Sequence, residues 1–144
     1  MVTASQKVLV GNLMTVDPVV IGPEASVHEA ELLLKTYRIS GLPVVEKGNL
    51  VGVISQTDLL NARSSELIGG NWDRLKVRHL MSRPAVTVHL ATTVETAARR
   101  MLAEQIHRVV VVDPDGAPIG LLSATDLLRA LLPEEDGEQP LPDP

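Results

Sequence analysis

The chain has no cysteine, no phenylalanine, one tryptophan and one tyrosine in 144 residues. Without cysteine there is no disulfide framework, no thiol nucleophile and no thiolate metal site. So few rings exclude a stacking platform for single-stranded nucleic acid. A basic excess is missing too. The formal net charge of −5 comes entirely from Glu134, Glu135, Asp136, Glu138 and Asp143, which leaves residues 1–132 formally neutral. A neutral body lacks the positive field used for binding a phosphate backbone, so no nucleic-acid partner is expected. It does not oppose a small anionic ligand. No apolar run is long enough to span a bilayer, and Met1 to Lys7 contains no signal-peptide core. A cytoplasmic protein without membrane insertion is therefore expected. There is also no Gly-x-Ser-x-Gly elbow and no Walker loop, and the four histidines (28, 79, 89 and 107) lack metal-ligand spacing. An enzyme is not expected.

What is present is a phrase that occurs twice. Gly52-Val53-Ile54-Ser55-Gln56-Thr57-Asp58-Leu59-Leu60 returns as Gly120-Leu121-Leu122-Ser123-Ala124-Thr125-Asp126-Leu127-Leu128. The register extends upstream. At an offset of 67, Val10 to Met14 matches Val77 to Met81, Val19-Val20-Ile21 matches Val86-Thr87-Val88, and Val44-Val45 matches Val111-Val112. One extra residue in the turn Asp113-Pro114-Asp115-Gly116 shifts the offset to 68. A match of this length with one indel is an internal duplication.

Each copy reads as strand, helix, strand, strand, helix. In the first, Val19 to Ile21 is a short β-branched strand closed by Gly22-Pro23. Ser26 with Glu29 forms a capping-box pattern, and Val27, Ala30, Leu33, Leu34 and Tyr37 share one helical face. Gly41 to Val45 and Leu50 to Ser55 make a hairpin, and a second helix runs from Thr57 to about Arg63. The second copy repeats this with Val86 to Val88, a helix from Thr92 or Thr93, strands Val109 to Asp113 and Ile119 to Ser123, and a helix from Thr125 to Leu132. The unbroken Val109 to Val112 run implies a strand covered on both faces. The divisions are an N-terminal segment (1–7), a first copy (8–63), a linker (64–76) with Trp72 covering the joint, a second copy (77–132), and a disordered acidic, proline-rich tail (133–144).

The recurring Ser, Thr and Asp stand where a strand enters a helix. Thr57 and Thr125 as helix N-caps, with the aspartates complementing the helix dipole, is one reading. Ligand contact is the other. Two copies of Met, apolar strand, Ser/Thr-Val, Ala, Ile, Val-Val and Gly-x-x-Ser-x-Thr-Asp-Leu-Leu resemble a pair of cystathionine-β-synthase (CBS) domains, a Bateman module. The resemblance implies an α+β fold of two tandem β-α-β-β-α half-domains, packed through their sheets with pseudo-two-fold symmetry. Two clefts between the copies would bind adenosine-containing ligands. It also implies a regulatory role toward an unknown partner protein, and a homodimer. A stand-alone module without an attached effector domain is expected.

Within the clefts, Asp58 and Asp126 are expected to accept ribose hydroxyls. Ser55, Thr57, Ser123 and Thr125 are expected at ribose or phosphate, near N–H groups of a helix start. By resemblance, Val20, Ile21, Leu42 and Pro43, with Thr87, Val88, Val109 and Val110, would wall the adenine. Ser40-Gly41 in the first copy corresponds to His107-Arg108 in the second. Ile106 to Asp113 resembles the segment of AMP-activated kinase γ-subunits whose His and Arg contact AMP phosphates. Arg binds phosphate through parallel charge-assisted bonds, so His107 and Arg108 favour AMP, ADP or ATP, with Mg as companion, over the cationic S-adenosylmethionine. Arg129 and Lys7 are further candidates. No obligatory cofactor is implied. The alternatives are a dimeric interaction scaffold with empty clefts, or a sensor of S-adenosylmethionine or NAD.

Overall fold

The structure is a computed structural model that describes residues 7–64 and 72–132. Residues 1–6 of the N-terminal segment, 65–71 of the linker and the tail 133–144 lie outside the described residues. The elements are α1 (Val10–Leu13), β1 (Thr15–Val16), α2 (Val27–Tyr37), β2 (Gly41–Glu46), β3 (Asn49–Ser55), α3 (Gln56–Arg63), a 3-10 turn (Trp72–Arg74), α4 (Val77–Leu80), β4 (Thr87–Val88), α5 (Val94–Glu104), β5 (Arg108–Val112), β6 (Pro118–Ser123) and α6 (Ala124–Leu131). This is the mixed α+β arrangement expected from the duplicated sequence.

The two long helices form where the caps and spacing place them. Ser26 Oγ accepts the Glu29 N–H at 3.1 Å, and Thr93 Oγ1 accepts the Thr96 N–H at 3.2 Å. Thr93, the counterpart of Ser26, is thus the cap rather than Thr92. Both helices end on a left-handed residue, Arg38 and Gln105, which swings the chain into the next strand. Val27, Ala30 and Leu34 are buried, whereas Tyr37, the last residue of the helix, is 55% exposed. In the hairpin of β2 and β3, Lys47 and Gly48 both take positive φ, the pairing that matches the twist of a tight two-residue turn.

The repeats do not fold as two self-contained beads. One core gathers Ile21, Val27, Leu34, Leu42, Val44, Ile54 and Trp72 from α2, the β2–β3 hairpin and the 3-10 turn, and is completed by Val77, Leu80 and Met81 from the head of the second copy. The other gathers Val88, Ala97, Met101, Val109, Val111 and Leu122, and is completed by Val10, Leu13 and Met14 from the head of the first copy. Each copy lends its opening segment to the other. Pairing follows the same exchange: β1 lies antiparallel to β6, with Thr15 opposite Leu121, and Ser82 exchanges two hydrogen bonds with Val53 at 2.8 and 3.0 Å. The second sheet accordingly runs β1-β6-β5-β4. The crossings need glycine. A Cβ on Gly52 would stand 2.8 Å from the Ser82 carbonyl oxygen, and one on Gly120 would run into Met14 Sδ. The glycines that open the repeated phrase are there to let the exchanged segments pass.

One expected strand is reduced. Val19 to Ile21 contributes a single bridge, Ile21 to Val44, while its counterpart β4 pairs at both Thr87 and Val88. The cause is Pro43. Its counterpart Val110 donates its N–H to the Val86 carbonyl at 3.0 Å, a bond that proline cannot make to Val19. Trp72 packs on the first core, its Nε1–H donating to Glu31 Oε1 at 3.0 Å and its ring under Arg63 at 4.0 Å.

Candidate functional site

Two clefts open between the copies, related by the pseudo-two-fold. The first, of about 200 Å³, is lined by Val53, Ser55, Thr57 and Asp58 of the first copy, and by Ser82, Pro84 to Val86 and Gln105 to Arg108 of the second. The other, of about 490 Å³, reverses the roles: Leu121, Ser123, Thr125, Asp126 and Arg129 face Thr15, Arg38 to Ser40 and Gln56. The second lies within the size range of small-molecule sites and the first below it.

The floor of each cleft is a helix start. The N-caps are Ser55 and Ser123, not the threonines. Ser55 Oγ accepts the Asp58 N–H at 3.2 Å while Asp58 Oδ2 accepts the Ser55 N–H at 2.8 Å, a reciprocal capping box. Ser123 and Asp126 repeat it at 3.1 and 2.8 Å. Thr57 and Thr125 are thereby released from capping and line the clefts. The boxes change the reading of the aspartates. One oxygen of each belongs to the helix cap, so only Oδ1 faces outward. In Asp58 that oxygen already accepts from Ser82 Oγ at 3.2 Å, and in Asp126 it lies 3.8 Å from Arg129 Nη1. A bidentate grip on a ribose would have to come from Oδ1 with help from Thr57 or Ser82, rather than from both carboxylate oxygens.

Arg108 carries the charge of the first cleft. Its Nη2 donates to Ser40 Oγ at 3.0 Å, while its Nε is buried without a hydrogen-bond partner among the described residues. Burial pushes its pKa below the usual arginine range, against the opposing pull of Asp58. A desolvated cation with an unmade bond gains from an arriving anion. His107 lines the same cleft, and its backbone carbonyl accepts the Ala124 N–H at 2.7 Å.

The eight expected wall residues do not line either cleft. Ile21, Leu42, Val88 and Val109 point into the two cores, Pro43 and Val110 are fully buried, and Val20 is 43% exposed. A strand covered on both faces spends its side chains on packing. The apolar walls are instead Val53, Pro84, Ala85, Val86 and Ile106 in the first cleft, with Ile39 and Leu121 in the second. Lys7 reaches neither cleft. The polar lining residues not foreseen are Ser82 and Gln105 in the first cleft and Thr15, Arg38, Ser40 and Gln56 in the second. The repeat alignment held the signal of two of them: Arg38 and Gln105 are counterparts, each one residue before the Ile39/Ile106 pair.

The family profile described as CBS domain matches residues 10–65 and again 77–133. The chain belongs to the CBS-domain family. It is similar to the inosine-5'-monophosphate dehydrogenases of Streptococcus pyogenes serotype M3 (32% identity over 123 residues, 83% of this chain) and of Korarchaeum cryptofilum (32% over 111 residues, 77% of this chain). The chain spans only 24% and 22% of those two proteins. Among solved structures it resembles CBSX2 in complex with AMP, with 37% identity, a TM-score of 0.73 and coverage of 85% of this chain and 95% of that one. It also resembles the CBS domain pair of MJ0100 in complex with 5'-methylthioadenosine and S-adenosyl-L-methionine, with 27% identity, a TM-score of 0.77 and coverage of 87% and 96%. Both of these solved structures hold an adenosine-containing molecule. Among the described residues no helix is long and apolar enough to cross a membrane, and no His, Asp and Glu side chains converge as a metal site.

Proposed function

We propose that this CBS pair is a regulatory sensor that binds an adenine nucleotide, AMP, ADP or ATP, in the first cleft and transmits its occupancy to a partner protein, with no catalysis of its own. The observation that carries the reading is Arg108: a partly desolvated guanidinium, its Nε without a partner, in the wall of the cleft that also holds Thr57 and Asp58. An anionic group answers both the charge and the unmade bond, whereas the sulfonium of S-adenosylmethionine answers neither. The likeness to CBSX2 with AMP supports an adenosine ligand. Ribose sits at Asp58 Oδ1, phosphate at Thr57, His107 and Arg108, and any Mg²⁺ arrives with a polyphosphate as part of the ligand. The second cleft, with Arg38 and Arg129 in place of His107 and Arg108, is a different site and selects differently. Exposed Leu60, Leu128 and Leu131 on α3 and α6 offer the expected homodimer an apolar face, and the cytoplasm supplies such nucleotides.

A thermal-shift panel of AMP, ADP, ATP, S-adenosylmethionine and NAD tests this. A ligand at a hundredfold excess over Kd stabilises by about 2.7 kcal/mol, which raises Tm by roughly 5–10 °C in a domain of this size. An adenine nucleotide should give the largest shift, and Arg108→Ala should weaken ATP more than adenosine. A panel in which no adenine nucleotide moves Tm refutes the reading.

A further inference from the structure

The copies differ most sharply at Ser40-Gly41 and His107-Arg108, and the fold lays these segments on one another. Gly41 and Arg108 are counterparts in the duplication. Counterparts that touch must lie at the pseudo-two-fold axis. The Arg108 side chain rests on the Gly41 backbone so closely that a Cβ there would stand 2.6 Å from Nε, 2.7 Å from Cδ and 3.1 Å from Cζ. Only glycine leaves that room. A faithful repeat would put two guanidinium groups into the same space, where neither steric room nor like charge allows them. The direction of the side chain is set by Ser40, whose Oγ accepts from Nη2.

We propose that Ser40 and Gly41 are positioning residues, a seat in the first copy that aims the second copy's Arg108 at an anionic ligand group in the first cleft. This deepens the nucleotide reading and rests on it. The seat is itself fixed. Gly41 pairs with Ser55 in the hairpin, and the Ser40 carbonyl accepts the Gln56 N–H at 2.9 Å. The same two residues therefore hold the guanidinium and the first turn of α3, which carries Thr57 and Asp58. Phosphate-binding cation and helix start are set against one another by a single piece of backbone. The Ser-Gly of the first copy is the receptor for the His-Arg of the second, not a decayed version of it.

The test is calorimetric titration of ATP and adenosine into wild type, Ser40→Ala, Ser40→Thr, Gly41→Ala, Arg108→Ala and the Ser40→Ala/Arg108→Ala pair. Gly41 does not occupy the left-handed region, so alanine fits its backbone and displaces only the flexible arginine; unchanged circular dichroism checks this. Losing one charge-assisted bond predicts that Ser40→Ala weakens ATP by about tenfold or more, leaves adenosine unchanged, is restored by Ser40→Thr, and has no further effect once Arg108 is alanine. Gly41→Ala should weaken ATP by about tenfold or more, since it evicts the whole guanidinium. Equal losses for ATP and adenosine, or an undiminished loss in the Arg108→Ala background, overturn the seat while leaving the nucleotide site standing. A wild type that binds no ATP overturns the nucleotide reading and the seat with it.

Discussion

Gly52→Ala and Gly120→Ala should both destabilise the protein, but only the second should be rescued by trimming a methionine. The two glycines are counterparts, and each is crossed by the opening segment of the other copy. At Gly120 the nearest obstacle to a Cβ is Met14 Sδ, with the Thr15 carbonyl oxygen next at 3.1 Å. At Gly52 the nearest is the Ser82 carbonyl oxygen at 2.8 Å, ahead of Met81 Sδ at 3.0 Å. A thioether can swing away; a carbonyl in a backbone pair cannot. Overpacking costs about 1–3 kcal/mol in each case. At Gly52 the displaced Ser82 also stretches its two bonds to Val53, each contributing about 0.5–1.5 kcal/mol. Gly120→Ala should therefore cost about 1–3 kcal/mol and Gly52→Ala about 2–4 kcal/mol. Urea unfolding of two double-mutant cycles reads the difference. Met14→Ala with Gly120→Ala should be less harmful than the sum of the singles by about 1 kcal/mol or more, whereas Met81→Ala with Gly52→Ala should be additive to within about 0.5 kcal/mol. Equal coupling in both cycles, or a Gly120→Ala protein as stable as the wild type, would refute the account of the crossings.

Two further outcomes separate the fold from the site. Ser55→Ala removes the true N-cap of α3 and should cost about 1 kcal/mol, while Thr57→Val, two residues on, should leave unfolding unchanged to within about 0.5 kcal/mol and yet weaken ATP; chemical denaturation beside titration distinguishes them, and a Thr57→Val protein that binds ATP normally removes Thr57 from the site. Glu24 is held below its ordinary carboxyl pKa of 4.5, chiefly by its hydrogen bond to Lys76, aided by the charges of Arg78 and Lys76. Its folded pKa is the lower one, so the pairing contributes above pH 4.5 and is lost as pH falls through the folded value; Glu24→Gln should flatten the acid limb of a Tm-against-pH curve, and an unaltered acid limb would show that the pair contributes nothing.

The fold was largely legible because its local signals agree with one another. Ser26 and Thr93 cap helices whose buried positions recur every three or four residues, and the hairpins carry their own turns. What the sequence read in order could not show is exchange. Val10, Leu13 and Met14 have helical spacing and an evident repeat, but nothing local says that their partners are Val109 and Leu122, not Leu42 and Ile54. Contacts of this kind are set by which sheet edge is open, and that edge exists only once both hairpins have formed. The site was legible in part for a related reason. Thr57, Asp58, His107 and Arg108 announced themselves by repetition or by its failure. The residues expected to wall an adenine lie in strand interiors outside both clefts: a valine run reads the same whether it lines a cleft or fills a core, and Val109 and Val110 are buried in the core.

The exchange also explains why the clefts are joint property. Ser82 and Pro84 to Val86 line the first cleft because Ser82 has crossed to pair with Val53, and Thr15 lines the second because β1 has crossed to β6. On the proposed reading, a ligand in either cleft would touch both copies and bind well only while the crossing segment is in place. Its binding energy is then differential between crossed and loosened arrangements, which is the condition for a ligand to shift a population and not merely to occupy a hole. Perfect duplication would make the two clefts respond alike to one signal. The axis forbids that here, because Arg108 fills the space over Gly41 and no second side chain can mirror it. The axial cation must belong to one cleft, so the asymmetry between the clefts at that point follows from the symmetry of the fold.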